Sequence, residues 1–418
     1  MRKQFLVSGL AIVAMAATMG YVHADPQQGP PPAGQAAQGG GRGRGNATPP
    51  DANGECPKGM TLVRVGSCQA PEFPPPSIVD YRPKSTLVTE QHLTPKSKFP
   101  SIDLHGHPGQ MITSVDGITG MIKDMDKIGL RVMISADVSM GQALTTRMAA
   151  INASGVNKDR VRVLTGVNFS NVGPGWAAKE IARLEEDVKN GAIGIGEIGK
   201  GFGLFTKKPD GSLLKIDDPE LDPFWDACAR LNMVVFIHTA EPPEFFSPED
   251  MHNERWLELA LFADRRHYMP GDVKFEDLMK ARDSMFKKHP KTTFVAAHFG
   301  WCAQDLGACS KLLDTYPNVN LEVGAVLYDF GRQPRAAREF FIKYQDRVLF
   351  GKDAWAPEEY PYYWRVFETK DEYFDYYRNY HAFWKLYGMD LPDDVLKRLY
   401  YKNALRLLPG LPQNGWPK

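Results

Sequence analysis

From about residue 99 onward, short apolar runs alternate with stretches whose apolar residues recur at helical spacing. After the first run, Ile118, Met121, Ile122 and Met125 share one face of a predicted helix that ends at Gly129. The runs are rich in Val, Ile and Phe, as expected of buried strands in a parallel sheet. Eight such runs are predicted as strands: 99–109, 130–138, 160–169, 192–199, 233–241, 292–301, 318–326 and 346–355.

Eight strands with intervening helices, in about 260 residues, predict an α/β fold: a (β/α)8 TIM barrel with a short N-terminal extension and C-terminal helices. A doubly wound open sheet is the competing architecture. That fold commonly carries a Gly-rich phosphate-binding fingerprint at its first strand–helix turn, and this sequence has none there. We therefore expect the barrel to occupy residues 99–418.

The N-terminal segments differ in composition from the predicted barrel. Residues 1–24 combine a basic start, an apolar core and small residues before an expected cleavage at Ala24, which is typical of a secretory signal peptide. Residues 25–55 are rich in Pro, Gly, Gln and Ala and are predicted to be a disordered linker, followed by an N-terminal extension over 56–98. We expect a periplasmic or secreted protein with no stable membrane insertion after cleavage.

Cysteine content agrees with an oxidising compartment. Cys56 and Cys68 bracket a short segment and are predicted to form a disulfide, which contributes about 3 kcal/mol in the chain-entropy model. The sequence leaves open whether Cys302 and Cys309 are paired, and Cys228 is expected to be a buried thiol. None of the spacings is that of a zinc finger, so cysteine is not an expected metal ligand.

The net charge indicates which kind of binding partner to expect. Fifty basic residues balance fifty acidic ones, so nothing suggests a polyanionic partner such as nucleic acid. The hydrophobic content of 43% is that of an ordinary globular protein. A small-molecule substrate is the expected partner, and a homo-oligomer is left open.

Metal-binding side chains follow five of the eight apolar runs. His105 and His107 leave the first predicted strand side by side, because residues i and i+2 of a strand point to the same face. In a parallel barrel the carboxyl ends of the strands converge on the face where active sites lie. A lone histidine at a strand end is more often scaffold, but the joint pattern predicts a metal site. The other strand-end candidates are Glu197, His238, His298 and Asp353.

Four motifs, DLHGH, VVFIHTAE, FVAAHFG and VLFGKDAW, occur in this order and resemble those of the amidohydrolase superfamily. More narrowly, they resemble the amidohydrolase-related family (amidohydrolase 2) that includes aminocarboxymuconate-semialdehyde decarboxylase. The resemblance covers roughly residues 99–410. It implies metal ligands at His105, His107, His238 and Asp353, and a histidine that polarises substrate or moves protons at His298.

The implied ligands suit one divalent metal, Zn²⁺ first and Mn²⁺ as an alternative. Such a metal brings the pKa of a bound water towards about 7. Asp353 is suited to accept the proton of that water, and His298 to stabilise the developing oxyanion. Binuclear members of the superfamily place a bridging carboxylated lysine or glutamate at the fourth strand. Glu197 therefore bridges a second metal, pairs with Lys200 or orients a ligand histidine.

The sequence predicts an exported metal-dependent hydrolase that directs water to an amide, ester or lactone carbonyl. The alternative is a metal-dependent, non-oxidative decarboxylase of an aromatic or unsaturated carboxylic acid. A barrel that binds metal without catalysis is disfavoured by the complete ligand set. Substrate-binding candidates are Lys200, Arg255 and Arg332, which suit a carboxylate, and Trp301 and Trp355, which suit an aromatic group.

Overall fold

The computed structural model describes residues 48–74 and 77–418 of the chain. The predicted signal peptide, 1–24, and residues 25–47 of the predicted linker lie outside the described residues. Within the described ranges, no helix has the length and apolar character needed to cross a membrane.

The first of two compact units ends at Pro83 and contains a small antiparallel hairpin. Its strands are β1, Thr61–Arg64, and β2, Ser67–Gln69. A disulfide joins Cys56 to Cys68, with their Cα atoms 5.6 Å apart. The bridge therefore fixes the segment before β1 to β2.

The second unit, Lys84–Lys418, contains a parallel sheet in which neighbours along the chain pair with one another. Its interior strands are almost wholly buried, as the apolar runs predict. The strands are β3 (Ser101–His107), β4 (Leu130–Ser139), β5 (Val161–Thr165), β6 (Gly194–Ile198), β7 (Val234–Ile237), β8 (Phe294–Ala296), β9 (Val319–Glu322), β10 (Val348–Leu349) and β11 (Asp353–Ala354).

The two ends of this sheet belong to one chain segment. β10 pairs with β9, where Val348 lies opposite Leu321, and β11 pairs with β3, where Asp353 lies opposite Gly106. Only residues 350–352 separate β10 from β11, so the eighth apolar run closes the sheet between the seventh strand and the first. The predicted (β/α)8 barrel is confirmed.

Helices cover the sheet in the order that the apolar periodicity predicts. Ser114 caps the first helix by accepting a hydrogen bond from the Gly117 N–H, and Gly129 ends it with a φ of 84° that favours glycine. The helices are α1 (Val115–Ile128), α2 (Gln142–Ala153), α3 (Trp176–Lys189), α4 (Asp222–Arg230), α5 (Trp256–Leu261), α6 (Phe275–Lys288), α7 (Leu306–Thr315), α8 (Leu327–Arg332), α9 (Pro334–Lys343), α10 (Tyr360–Glu368), α11 (Asp393–Lys397) and α12 (Asn403–Leu407).

Candidate metal centre

The two histidines at the end of β3 turn their Nε2 atoms to the same side. His105 Nδ1 lies 3.0 Å from Glu322 Oε2, and His107 Nδ1 lies 3.3 Å from Asp137 Oδ1. Because each Nδ1–H donates to a carboxylate, the neutral ring keeps its lone pair on Nε2. His105 Nε2 is buried and has no hydrogen-bond partner among the described residues. Once a ring gives up its second proton, it is therefore in the tautomer that a metal ligand requires.

Glu197, at the end of β6, lies between two pairs of histidines. Its Oε2 atom is 3.3 Å from His105 Nε2 and 3.5 Å from His107 Nε2. Its Oε1 atom is 2.5 Å from His238 Nδ1 and 3.3 Å from His298 Nε2. The two oxygens of one carboxylate therefore face separate ligand groups.

Asp353, at the start of β11, joins the first of these groups. Its Oδ1 atom lies 3.8 Å from His105 Nε2 and 3.6 Å from His107 Nε2. The Asp353 side chain is 31% exposed and that of His107 is 28% exposed, whereas those of His238 and His298 are about 5% exposed. Solvent therefore reaches the cluster from the side of His107 and Asp353.

His298 begins a turn of unusual backbone conformation directly after β8. Residues 298–301 have φ angles of 52°, 56°, 59° and 52°, all in the left-handed region. For residues other than glycine this conformation costs roughly 1–2 kcal/mol each. The turn lets His298 Nδ1 donate to the Gly324 carbonyl at 3.0 Å, which leaves Nε2 facing Glu197. Backbone strain of this kind concentrates at functional sites.

Among the described residues, three sets of side chains place their ligand atoms within 4.8 Å of one another. One set, His105 with His298 and Glu322, is explained by the hydrogen bonds that Glu322 accepts from the His105 ring and the His298 backbone. The other two sets share Glu197, once with His105 and His107 and once with His238 and His298. Imidazole nitrogens and carboxylate oxygens are the donors that Zn²⁺ and related divalent cations bind, so the residues fit such ions.

In the cation-free protein, neighbouring carboxylates favour the protonated form of two histidines of the cluster, His105 and His107. Burial lowers the pKa of His105, but Glu197 and Glu322 outweigh it and hold that pKa well above the ordinary value. Burial also lowers the pKa of His107, but hydrogen bonds to Asp137 and Glu197 raise it to about 9. Burial would raise the pKa of Glu197, yet His105 and His238 keep it well below its usual range. The protonated imidazoles thus occupy the electrostatic role that divalent cations fill when bound.

Two carboxylates of the site were not among the sequence candidates. Glu322, the last residue of β9, accepts hydrogen bonds from the His105 ring and from the His298 N–H at 3.2 Å. Asp137, in β4, holds His107 and also accepts from the Gly109 N–H at 2.8 Å. Asp137 lies near the end of the predicted strand 130–138 and so carries the signal that identified the other candidates, whereas Glu322 lies in the middle of the predicted strand 318–326 and reaches a strand end only in the structure.

The glycines around Glu322 explain how a carboxylate fits behind His105. A Cβ atom at Gly351 would overlap the Glu322 carboxylate and lie 2.6 Å from the His105 Cβ. A Cβ atom at Gly324 would lie 2.6 Å from Glu322 Oε1. Both positions must stay glycine for the carboxylate to reach the ring.

The predicted substrate-binding cations have protein partners instead. Lys200 Nζ lies 2.7 Å from Glu241 Oε1, rather than on Glu197. Arg255 is buried and donates to Glu258, to the Tyr328 hydroxyl and towards His381. Arg332 pairs with Glu254 and Asp329, each at 2.8 Å. These contacts give the arginines a role in holding the loops after β7 and β9.

The two predicted tryptophans lie at different distances from the histidines. The Trp301 ring stacks on the His298 ring, with centroids 4.6 Å apart and planes at 22°. Trp355 is partly buried and contacts the Tyr360 ring at 5.7 Å. Trp301 therefore belongs to the metal centre, whereas Trp355 directly follows β11, two residues after Asp353.

A family model described as amidohydrolase matches residues 126–410. No curated protein matches the chain. Among solved structures, the chain is similar to 2,6-dihydroxybenzoate decarboxylase from Rhizobium (15% identity, 74% of this chain and 98% of that one, TM-score 0.43). It is also similar to 4-oxalomesaconate hydratase from Rhodopseudomonas palustris (15% identity, 74% of this chain and 95% of that one, TM-score 0.43). A third similar structure is an uncharacterised TIM-barrel protein from Bordetella bronchiseptica (14% identity, 74% of this chain and 97% of that one, TM-score 0.44). The family match includes Glu197, His238, His298 and Asp353.

Proposed function

The chain belongs to the amidohydrolase family, and on that premise we propose that it is a hydrolase in which the Glu197 carboxylate would contribute a ligand oxygen to each of two divalent cations. The observation that carries the proposal is the division of the Glu197 oxygens, Oε2 towards His105 and His107 and Oε1 towards His238 and His298. A bridging carboxylate requires this two-sided arrangement. A carboxylate that only orients a histidine needs a single partner.

Zn²⁺ or Mn²⁺ at these positions would supply a Lewis acid for the substrate carbonyl and a water of lowered pKa. His105, His107, Glu197 and Asp353 would hold one cation. Glu197, His238 and His298 would hold the other. The open edge at His107 and Asp353 is where an amide, ester or lactone carbonyl would enter.

Asp353 is the residue best placed to move protons. Burial would raise its pKa, but His105 and His298 outweigh burial and keep it below the ordinary value, so the carboxylate is ready to accept a proton. We propose that Asp353 takes a proton from the attacking water as the new C–O bond forms. It then returns that proton to the departing nitrogen or oxygen as the scissile bond breaks.

The fate of oxygen atoms tests hydrolysis against decarboxylation. The Zn²⁺ and Mn²⁺ forms would be assayed in H₂¹⁸O with lactones, aryl esters, N-acyl amino acids and hydroxybenzoates. Hydrolysis predicts one ¹⁸O atom in the product acid of a carbonyl substrate. Carbon dioxide release from a hydroxybenzoate, with no turnover of the carbonyl substrates, would contradict the proposal and favour the decarboxylase alternative.

We further propose that the protein works outside the reducing cytoplasm, in a periplasm or in the medium. Two disulfides in the described part of the chain, Cys56–Cys68 and Cys302–Cys309, support export, because such bridges persist in oxidising compartments. Fractionation of the producing cells tests this: the mature chain should begin near Asp25 and leave the cytoplasm. Recovery of Met1 in the exported fraction would contradict cleavage.

A further inference from the structure

The turn that carries His298 is held from its far end. Cys302, the residue after the left-handed segment 298–301, forms a disulfide with Cys309 in α7. The Cys302 N–H donates to the Phe299 carbonyl at 3.3 Å, which closes the turn. The disulfide therefore connects the end of the strained turn to Cys309, seven residues further along the chain and within a regular helix.

Other contacts fix the middle of the same turn. Buried Arg282 donates from Nη1 to the Gly300 carbonyl at 2.8 Å. The Phe299 ring packs against Phe330 and Phe340, with centroids 4.8 and 5.4 Å away. These contacts hold the segment by its carbonyl and its side chain. The disulfide ties the residue that follows the segment, Cys302, covalently to α7.

The direction of His298 depends on this backbone. The His298 N–H donates to Glu322 Oε2 and its Nδ1 to the Gly324 carbonyl, both of which lie just after or within β9. If residues 298–301 relaxed to the right-handed conformations that L-residues prefer, the ring could not keep both bonds and still face Glu197. The turn is thus the link between the Cys302–Cys309 bridge and the ligand atom.

We propose that the Cys302–Cys309 disulfide is a positioning element of the metal centre, which keeps the turn 298–301 left-handed and so aims His298 Nε2 at Glu197. Its consequence for cation binding rests on the proposed bridging role of Glu197. The claim that the disulfide keeps the turn left-handed does not depend on that role. Cys302 and Cys309 are positioning residues, since neither contacts the reacting atoms.

The test compares two double variants. Cys302→Ser/Cys309→Ser removes the bridge beside the turn, and Cys56→Ser/Cys68→Ser removes the other bridge as a matched control. In the cation-free proteins, hydrogen exchange at the amides of 298–302 should become at least tenfold faster in the first variant and stay unchanged in the control. In Zn²⁺ titrations, the first variant should lose at least tenfold in affinity for one of two cations and keep the other.

The outcomes separate the two proposals. If wild type binds a single Zn²⁺, the bridging role of Glu197 fails, and exchange at 298–302 still decides the positioning role. If exchange at 298–302 is the same in wild type and Cys302→Ser/Cys309→Ser, the positioning role is wrong whatever the cation count. Should that variant fail to fold, Cys302→Ala/Cys309→Ala removes the same bridge without adding hydroxyls to a buried site, and unchanged exchange at 298–302 in that protein would equally overturn the positioning role.

Discussion

Glu197 Oε1 lies 3.3 Å from His298 Nε2 and 2.5 Å from His238 Nδ1, so these histidines of neighbouring strands share one carboxylate oxygen. The sequence predicts different roles for them, a metal ligand for His238 and a proton carrier for His298. Their common partner favours the same role for both. The nitrogens themselves are 3.2 Å apart, a spacing suited to two ligands of one ion.

Replacing His298 by asparagine tests that shared role. We expect His298→Asn to lower the cation content from two per chain to one, because it removes one of three ligands at the inner position. Turnover should fall by roughly 10² or more, the scale expected for losing one catalytic group. Metal analysis of the purified variant, after equilibration with Zn²⁺ and gel filtration, gives the count.

A buried histidine elsewhere supplies the control. His289 hydrogen-bonds Asp226 at 2.9 Å near the end of α6, and His289→Asn should leave the cation count unchanged. A His298→Asn protein that keeps two cations but loses turnover would return His298 to the role of proton carrier. Full activity of the His298→Asn protein would show that His298 has only a structural role.

Glu322 should matter although it is expected to touch neither cation nor substrate. Glu322→Gln removes the negative charge that accepts from the His105 ring and the His298 N–H. We predict 10- to 100-fold weaker cation binding, the usual effect of losing a carboxylate behind a ligand histidine, with little change in KM. Isothermal titration with Zn²⁺ gives the affinity. Unaltered affinity would show that the two histidines hold their directions without Glu322.

Cation binding should release protons. The pKa of His107 is about 9 and that of His105 is well above its ordinary value, so both rings are protonated at pH 7 in the cation-free protein. A cation binds only the neutral ring. The apparent affinity for Zn²⁺ should therefore rise as the pH increases from 7 to 9, and titrations in buffers of different ionisation enthalpy should report proton release.

The same pKa shift makes a prediction for the stability of the cation-free protein. A pKa raised from the ordinary 6.5 to about 9 stabilises the fold most below pH 6.5, and this contribution is lost as the pH rises through 9. Denaturant unfolding of chelator-treated protein should thus show a lower free energy of unfolding at pH 9 than at pH 6.5. His107→Asn should weaken that dependence. A pH-independent difference between the two proteins would contradict the raised pKa.

The role of Asp353 as a proton acceptor can be separated from its role in holding a cation. Asp353→Asn keeps an oxygen near His105 and His107 but cannot take a proton from water. We expect turnover to fall by 10²–10⁴ while at least the inner cation, held by Glu197, His238 and His298, stays bound. Steady-state rates on a substrate found in the ¹⁸O screen, alongside metal analysis, measure both. Retention of normal turnover would remove Asp353 from the mechanism.

Much of the fold was predictable because a parallel barrel leaves a strong pattern in the sequence. Buried strands require unbroken apolar runs, and α1 ends at Gly129 as its periodicity predicts. The eighth apolar run differs from the prediction of a single strand. It splits into β10 and β11 around residues 350–352, because it pairs with β9 along its first part and with β3 along its last.

The sequence predicts which residues form the site better than it predicts which of their atoms face one another. Strand ends indicate which side chains converge, but not which oxygen of Glu197 faces which histidine. Glu322 was missed because the seventh run is predicted as a strand over 318–326, with Glu322 in its middle, whereas β9 ends at Glu322. The role of Arg255 in substrate binding stays a prediction, and only the folded loop reveals Glu258 and Tyr328 around it. The left-handed turn at His298 has no sequence signal beyond Gly300.

Anomalous diffraction at the zinc edge, from crystals of the Zn²⁺-loaded protein, tests the central claim most directly. We expect two peaks on opposite sides of the Glu197 carboxylate. One should lie beside the Nε2 atoms of His105 and His107, and the other between His238 Nδ1 and His298 Nε2. A single peak beside His105 and His107 at saturating Zn²⁺, with His298 free of metal, would contradict it.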